Sequence, residues 1–341
     1  MQPGPVHSRS LLRASGRERS LANKIHPLGS IAGFPALSLL AKPLPMITLA
    51  HISDIHLAPM PEVAFSDLIG KRLTGFLNWK LRRHNEMKTE TLVRLVAHMR
   101  EQKADFTAVT GDLVNLALPA EVRRAGKWLQ DLGDSERIAV CPGNHDAYVP
   151  GALDMAVDMW GQYMKGETLE GATFPFVRRI GELAIISCSS AVPTAPFFAI
   201  GRFEEKQAAR LDRMLKLLGD AGYFRVVLIH HPPNAELQHP SFGLKGHRIF
   251  RKVIAARGAE LILHGHTHRS SIHHIAGLDH EVPVIGVAAA SAAQGGTLDD
   301  PARYNLFRIE KAGNGWSCTM REYGFQRIGT DIVMRMQMRI Y

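Results

Sequence analysis

Five short polar clusters in this chain carry residue types that could do chemistry together. They are Asp54-Ile55-His56, Gly111-Asp112, Gly143-Asn144-His145-Asp146, His230-His231 and Gly265-His266-Thr267-His268. Between them they offer carboxylates, one amide oxygen and several imidazoles, with no thiolate. The three cysteines, Cys141, Cys188 and Cys318, are too few and too scattered for a disulfide framework or a thiolate zinc site. An N/O donor set suits borderline divalent ions such as Mn, Fe or Zn better than Cu(I) or an iron–sulfur cluster. Each fragment alone is weak, since Asp-x-His and Gly-Asp occur in many proteins. Their conjunction points to a metal site.

The clusters need elements to position them. Runs rich in β-formers at 46–53, 105–110, 137–141, 182–188, 224–229 and 260–264 predict strands. Helical spacing predicts helices at 89–102, 119–132, 152–164, 203–218 and 246–257. Alternation of this kind argues for an α/β fold with a layered sheet core. In such a sheet the carboxyl ends of strands converge on the ligand crevice, and all five clusters lie at predicted strand ends. In three of them a glycine directly precedes the polar residues, which allows a sharp turn or a close backbone approach. The last third reads differently: 271–276, 282–287, 303–310, 315–323 and 328–340 predict strands joined by Gly-rich turns, suggesting a second, partly antiparallel sheet.

The chain of 341 residues is 45% hydrophobic, which excludes a disordered or collagen-like protein. No apolar run approaches the roughly 18 residues of a membrane span. The net charge of +9 invites a nucleic-acid reading, but its location argues against one. Residues 1–45 hold six basic residues against Glu18, and residues 65–88 hold six against Asp67 and Glu86, so these two stretches account for all nine charges. The body is neutral. Residues 1–45 read as a disordered leader or an artefact of the start site, with translation expected from Met46. Residues 46–325 read as one domain and 326–341 as a C-terminal strand or tail.

In order and spacing, the five clusters resemble the calcineurin-like metallophosphoesterase superfamily, over about Met46 to Gln294. The His51-Ile52-Ser53-Asp54-Ile55-His56 opening and the His230-His231-Pro232-Pro233 block are most similar to bacterial cyclic-nucleotide phosphodiesterase-like members. The resemblance implies a four-layer α-β-β-α sandwich, two mixed sheets flanked by helices. It also implies two divalent metal ions bridged by Asp112. Asp54, His56 and His268 would complete one site, and Asn144, His230 and His266 the other, with His231 the alternative to His230. A hydroxide bridging the ions would attack phosphorus, and His145 would assist the leaving group as a substrate-assisted acid or by hydrogen-bonding the phosphoryl oxygens. Asp146 would orient His145, or serve only as a cap or turn residue.

The expected activity is therefore hydrolysis of a small phosphate ester, as a phosphodiesterase. The alternative is a phosphatase or pyrophosphatase acting on a lipid-linked substrate at the membrane surface. A metal-free scaffold of the same fold would need eroded ligands, and all seven are present. No nucleic-acid partner is expected. The lipid alternative rests on residues 65–88, where Phe65, Leu68, Ile69, Leu73, Phe76, Leu77 and Leu81 follow three/four spacing among basic residues. That pattern fits a basic amphipathic helix lying on anionic lipid, or a cap docked beside the site with its basic face solvated. The second option is preferred, giving a cytoplasmic protein with peripheral membrane contact as the alternative. His51 and His264 are expected as core histidines, Cys141 as a buried hydrophobe, and Asn115 as either a turn residue or a substrate contact.

Overall fold

The computed structural model describes residues 46–293, 300–313, 315–326 and 331–341. The expectations for residues 1–45 therefore fall outside the described residues. The first sheet starts with β1 (Met46–Ile52), β2 (Phe106–Val109) and β3 (Ile138–Val140), which are mutually parallel. Between them run α3 (Thr89–Glu101) and α4 (Pro119–Leu132), as parallel pairing requires of its crossovers. Helix α3 buries Leu92, Leu95, Val96 and Met99, the stripe its spacing predicts. Pro119 opens α4, where a missing N–H costs nothing.

Ahead of these helices, the 65–88 stretch is broken into α1 (Lys71–Asn78), a π-helical turn at Trp79–Arg83 and α2 (His84–Glu86). Helix α5 (Ala152–Trp160) leads to β4 (Glu167–Thr168) and β5 (Phe176–Ile180), two strands the sequence pattern did not reveal. Next come β6 (Leu183–Ser187), β7 (Gly201–Arg202), α6 (Glu205–Asp220), β8 (Phe224–Leu228), β9 (Leu244–Lys245), α7 (His247–Arg257) and β10 (Leu261–His264). The chain ends through β11 (Ser271–Ala276), β12 (Glu281–Gly286), β13 (Arg303–Ala312), β14 (Gly315–Phe325) and β15 (Ile332–Arg339).

The first sheet has the order β15-β14-β13-β1-β2-β3, and the second β11-β12-β10-β8-β6-β5-β4, with β7 and β9 paired apart. Both sheets are mixed. In the second, Leu183, Ile185, Val226, Leu228, Leu261 and Leu263 join the core shared with the first sheet. Their alternates Ala184, Ile186, Val227 and Ile262 are also buried, on the face that α6 and α7 cover. This is the expected four-layer α/β sandwich.

One expectation needs correction. The last third does not build a sheet of its own. β11 and β12 extend the second sheet, while β13 crosses back to lie antiparallel to β1, pairing His51 with Asn305, and β14 and β15 follow it outward. Local patterning identifies strands but not their neighbours, because pairing is settled by which edge is open when the core closes.

Candidate metal centre

Backbone contacts draw the strand ends together. Asp54 N donates to Gly111 O (3.0 Å), His56 N to Asp112 O (2.9 Å) and Gly265 N to His230 O (3.1 Å). Gly111 and Gly143 are needed where the loops after β2 and β3 touch. A Cβ on Gly111 would lie 2.5 Å from Gly143 N, and one on Gly143 would run into the Asp112 carboxylate. Asp54, His56, Asp112, His266 and His268 all adopt positive φ, from 40° to 69°. Such conformations are uncommon for non-glycine residues and gather where surrounding structure over-determines them.

The seven expected residues converge. His268 Nε2 lies 3.4 Å from Asp54 Oδ1 and 3.2 Å from His56 Nε2. Asn144 Oδ1 lies 2.9 Å from His266 Nδ1 and 3.3 Å from His230 Nε2. Between these two groups stands Asp112, whose Oδ2 is 3.3 Å from His230 Nε2 and 3.9 Å from His56 Nε2. The groups Asp54–His56–His268 and Asp54–Asp112–His230 each bring ligand atoms within 4.8 Å of one another.

The residues present fit a divalent ion, because the far side of three of the four rings is already used. His56 Nδ1 donates to Val114 O (3.2 Å), His230 Nδ1 to Thr110 O (2.6 Å) and His266 Nε2 to Phe242 O (2.8 Å). A carbonyl behind the ring assigns the tautomer and leaves the other nitrogen's lone pair facing the cluster, as metal-binding histidines require. His231 differs from His230 in this respect. Its Nδ1 accepts from Ser190 Oγ (2.8 Å) and its Nε2 donates to Ala199 O (3.1 Å), so both nitrogens are engaged.

Electrostatics point the same way. Burial works against ionising Asp112, yet His230 and His145 hold it well below the usual carboxylate range. Asp54 is likewise lowered, by His268 against the effect of burial. Burial also opposes a proton on His230, but Asp112 overrides it and lifts the imidazole to about 9. A proton there does in part what a cation would do. His56 is lowered by burial, then by Arg83.

His145 stands at the edge of the cluster. Its backbone N donates to Asp112 Oδ1 (2.7 Å) and its Nδ1 donates to Asn115 O (2.5 Å). The ring stacks on Tyr148 at 5.2 Å, and its Nε2 accepts from Arg83 (2.9 Å). Burial, and then Arg83, lower it to about 3, so the ring is neutral. Asn115 reaches it through its backbone; its side-chain amide donates to Leu57 O, a structural contact. Glu121 of α4 fixes this loop by accepting from the backbone N of Asn115, Leu116 and Leu118.

Asp146 does not touch His145. Its buried carboxylate accepts from the backbone N–H groups of Asp112, Leu113 and Gly143 (2.8–2.9 Å), so it holds the two loops in place as a turn residue would. The expectation that it orients His145 directly is corrected to this extent. His51 and His264 are buried, with partners in Thr110 Oγ1 and Gly265 O. Cys141 is buried too, and burial pushes its thiol well up.

Sequence reasoning missed Arg83 and Lys71. Lys71 Nζ donates to Thr194 Oγ1 (2.5 Å) and Phe198 O (3.1 Å) and lies 4.4 Å over the Tyr148 ring. Arg72 donates to Leu116 O and Ala117 O. These basic side chains turn inward, which corrects the expectation of a solvated basic face. Helix α1 sits tightly on the body at Gly75, where a Cβ would strike the Tyr148 hydroxyl. The net charge of 65–88 signalled that something was unusual, but not where the charges aim.

Fold and site together define an α/β sandwich whose strand ends carry a candidate metal centre. The profile of the calcineurin-like phosphoesterases matches residues 47–270, and the chain belongs to this family of metal-dependent phosphoester hydrolases. Over 230 residues it is 26% identical to a probable cyclic nucleotide phosphodiesterase of Synechococcus sp., covering 66% of this chain and 75% of that protein. A dimetal phosphatase from Danio rerio shares the fold with a TM-score of 0.54 at 13% identity, covering 85% of this chain and 99% of the other.

Proposed function

We propose that the protein is a dinuclear phosphodiesterase. Asp54, His56 and His268 would hold one divalent ion, Asn144, His230 and His266 the other, and Asp112 would bridge them. The observation that carries this reading is the position of Asp112 Oδ2 between two groups of imidazoles, three of them held from behind by backbone carbonyls. Two bound cations would supply Lewis-acid charge to a phosphoryl oxygen and acidify a water that can serve as nucleophile. The likeness to the cyanobacterial relative supports a diester substrate, with a cyclic nucleotide the first to try.

The chain's own residues do the rest. Arg83 and Lys71 place positive charge at the mouth, where a phosphodiester anion would enter. His145 is neutral and accepts at Nε2, so it holds no proton there to give. A phosphate that draws Arg83 onto its own oxygens frees Nε2 and favours its protonation. His145 then assists the departing alkoxide as a general acid. The test is chelation followed by titration with Mn²⁺, Fe²⁺ or Zn²⁺, with metal content and turnover of bis-p-nitrophenyl phosphate, p-nitrophenyl phosphate and cyclic AMP measured together. Two equivalents of metal per chain at full activity, with the diesters preferred, are expected. Saturation at one equivalent would refute the dinuclear reading, and preference for the monoester would refute the diesterase assignment.

A further inference from the structure

The 65–88 stretch is amphipathic in the unexpected sense: its large apolar residues face outward. Phe65, Ile69, Leu73, Leu77 and Leu81 recur at every fourth position, and they are 95%, 78%, 46%, 50% and 75% exposed. Through α1 and the π-helical turn that spacing keeps Leu73, Leu77 and Leu81 on one side. The opposite side is committed to the body, through Arg72, Gly75, the half-buried Phe76 and Arg83. A short helix that turns half-buried cations towards the body and exposes its leucines is not explained by its own packing, since large apolar patches on a soluble surface mark interaction sites.

More apolar surface lies on loops that bond to the cap and to His266. Phe197 and Phe198 are 87% and 44% exposed on the loop that Lys71 grips through Thr194 Oγ1 and Phe198 O. Phe242, 46% exposed, belongs to the loop whose carbonyl holds His266. Eight exposed aromatic or aliphatic side chains thus belong to segments that touch the site.

Charge selects among possible occupants. Residues 65–88 carry a net +4, which falls to +2 with the exposed Glu62 and Glu90 that flank them; Lys80 and Lys88 are exposed, and Lys71, Arg72 and Arg83 are half-buried on the side that meets the body. A second copy docked face to face would set this excess against itself, whereas an anionic headgroup layer complements it. Among the described residues no helix is long and apolar enough to cross a membrane, so the contact would be interfacial.

We propose that the apolar row of 65–88, with Phe197 and Phe198, docks the protein on anionic lipid bilayers, with the mouth of the metal centre facing the headgroups. The docking stands on the surface alone. Its corollary, that the substrate is a phosphate ester carried in or on the bilayer, rests on the proposed hydrolytic function.

The test is co-sedimentation of the full chain with phosphatidylcholine vesicles containing either no anionic lipid or 30% phosphatidylglycerol, roughly the range in which adsorption through basic residues responds to lipid charge. The wild-type protein is expected to bind the anionic vesicles, with affinity falling as salt is raised. Triple replacement Leu73→Gln, Leu77→Gln and Leu81→Gln is expected to weaken binding at least tenfold, because each change removes inserted apolar area. The same variant should keep its melting temperature and its turnover of bis-p-nitrophenyl phosphate, which shows that it is folded. Three results would overturn the docking: no vesicle binding by wild type, binding unaltered by the triple change, or self-association that the triple change abolishes. Normal vesicle binding without hydrolysis of any phosphate ester would sink the hydrolytic reading and leave the docking intact.

Discussion

Two regions face the mouth of this protein, and they are built on opposite plans. The strand-end cluster is buried: Asp54, His56, Asp112, Asn144 and His230 are almost inaccessible, and Asp54, His56, Asp112 and His230 have backbone partners in a neighbouring loop. Among the described side chains, the 65–88 cap holds no large fully buried one before Met87, and it attaches through a few long cationic side chains. A site that must place charges to within a fraction of an ångström needs over-determined backbone. A surface that selects or approaches a substrate needs only the right side chains in reach. Substitutions in the first region should therefore remove chemistry and metal together. Those in the second should alter substrate use and leave the metal in place.

The sharpest break in that comparison would come from Asp112. Asp112→Ala is expected to lower kcat by about a thousandfold or more, since it removes a central charge of the site, and to reduce the metal retained per chain. Measured metal content equal to wild type would mean that Asp112 is not a bridge. Next in size is the histidine doublet. His230→Ala should cost about a hundredfold in metal affinity, while His231→Asn, which loses the bonds to Ser190 and Ala199, should cost about tenfold or less. The reverse order would exchange their roles.

Arg83→Met probes the cap. It should lower kcat/KM about tenfold, with metal content unchanged. Loss of metal in this variant would erase the distinction between the two regions. The last effect is graded, and it is one of pH. In the metal-free protein His230 is raised above its ordinary 6.5 to about 9, against burial, by Asp112. Its contribution to stability is fully present below about 6.5 and is lost as pH rises through about 9, by a few kcal/mol at most. The same proton must leave when a cation binds, so metal affinity should fall as pH is lowered below about 9, by about tenfold per unit for one proton. Thermal melts and metal titrations across that range, with His230→Ala as control, check both signs.

Much of the centre was legible in the sequence because its chemistry is local. Asp54-Ile55-His56 and Gly265-His266-Thr267-His268 each follow a short apolar run, and type, spacing and glycine placement together announce a strand end with ligands on it. The difference in surroundings between His230 and His231 was not legible from neighbours in the chain. It turns on Thr110 O behind one ring and on Ser190 and Ala199 around the other, contacts that span 32 to 120 residues. Asp146 is similar: its carboxylate serves three backbone N–H groups across two loops, and nothing adjacent to it in sequence says so.

The sequence by itself determined most of the element types, the candidate donor residues at the strand ends and the fourfold spacing that sets Leu73, Leu77 and Leu81 on one face. Only the tertiary structure decided that β13 to β15 return to the first sheet, that Arg83 meets His145, and that the apolar face of the cap looks outward. The reason is the same in each case. Periodicity along a chain tells which residues share a face or a strand, but which face meets the body is chosen by what the rest of the core has left uncovered.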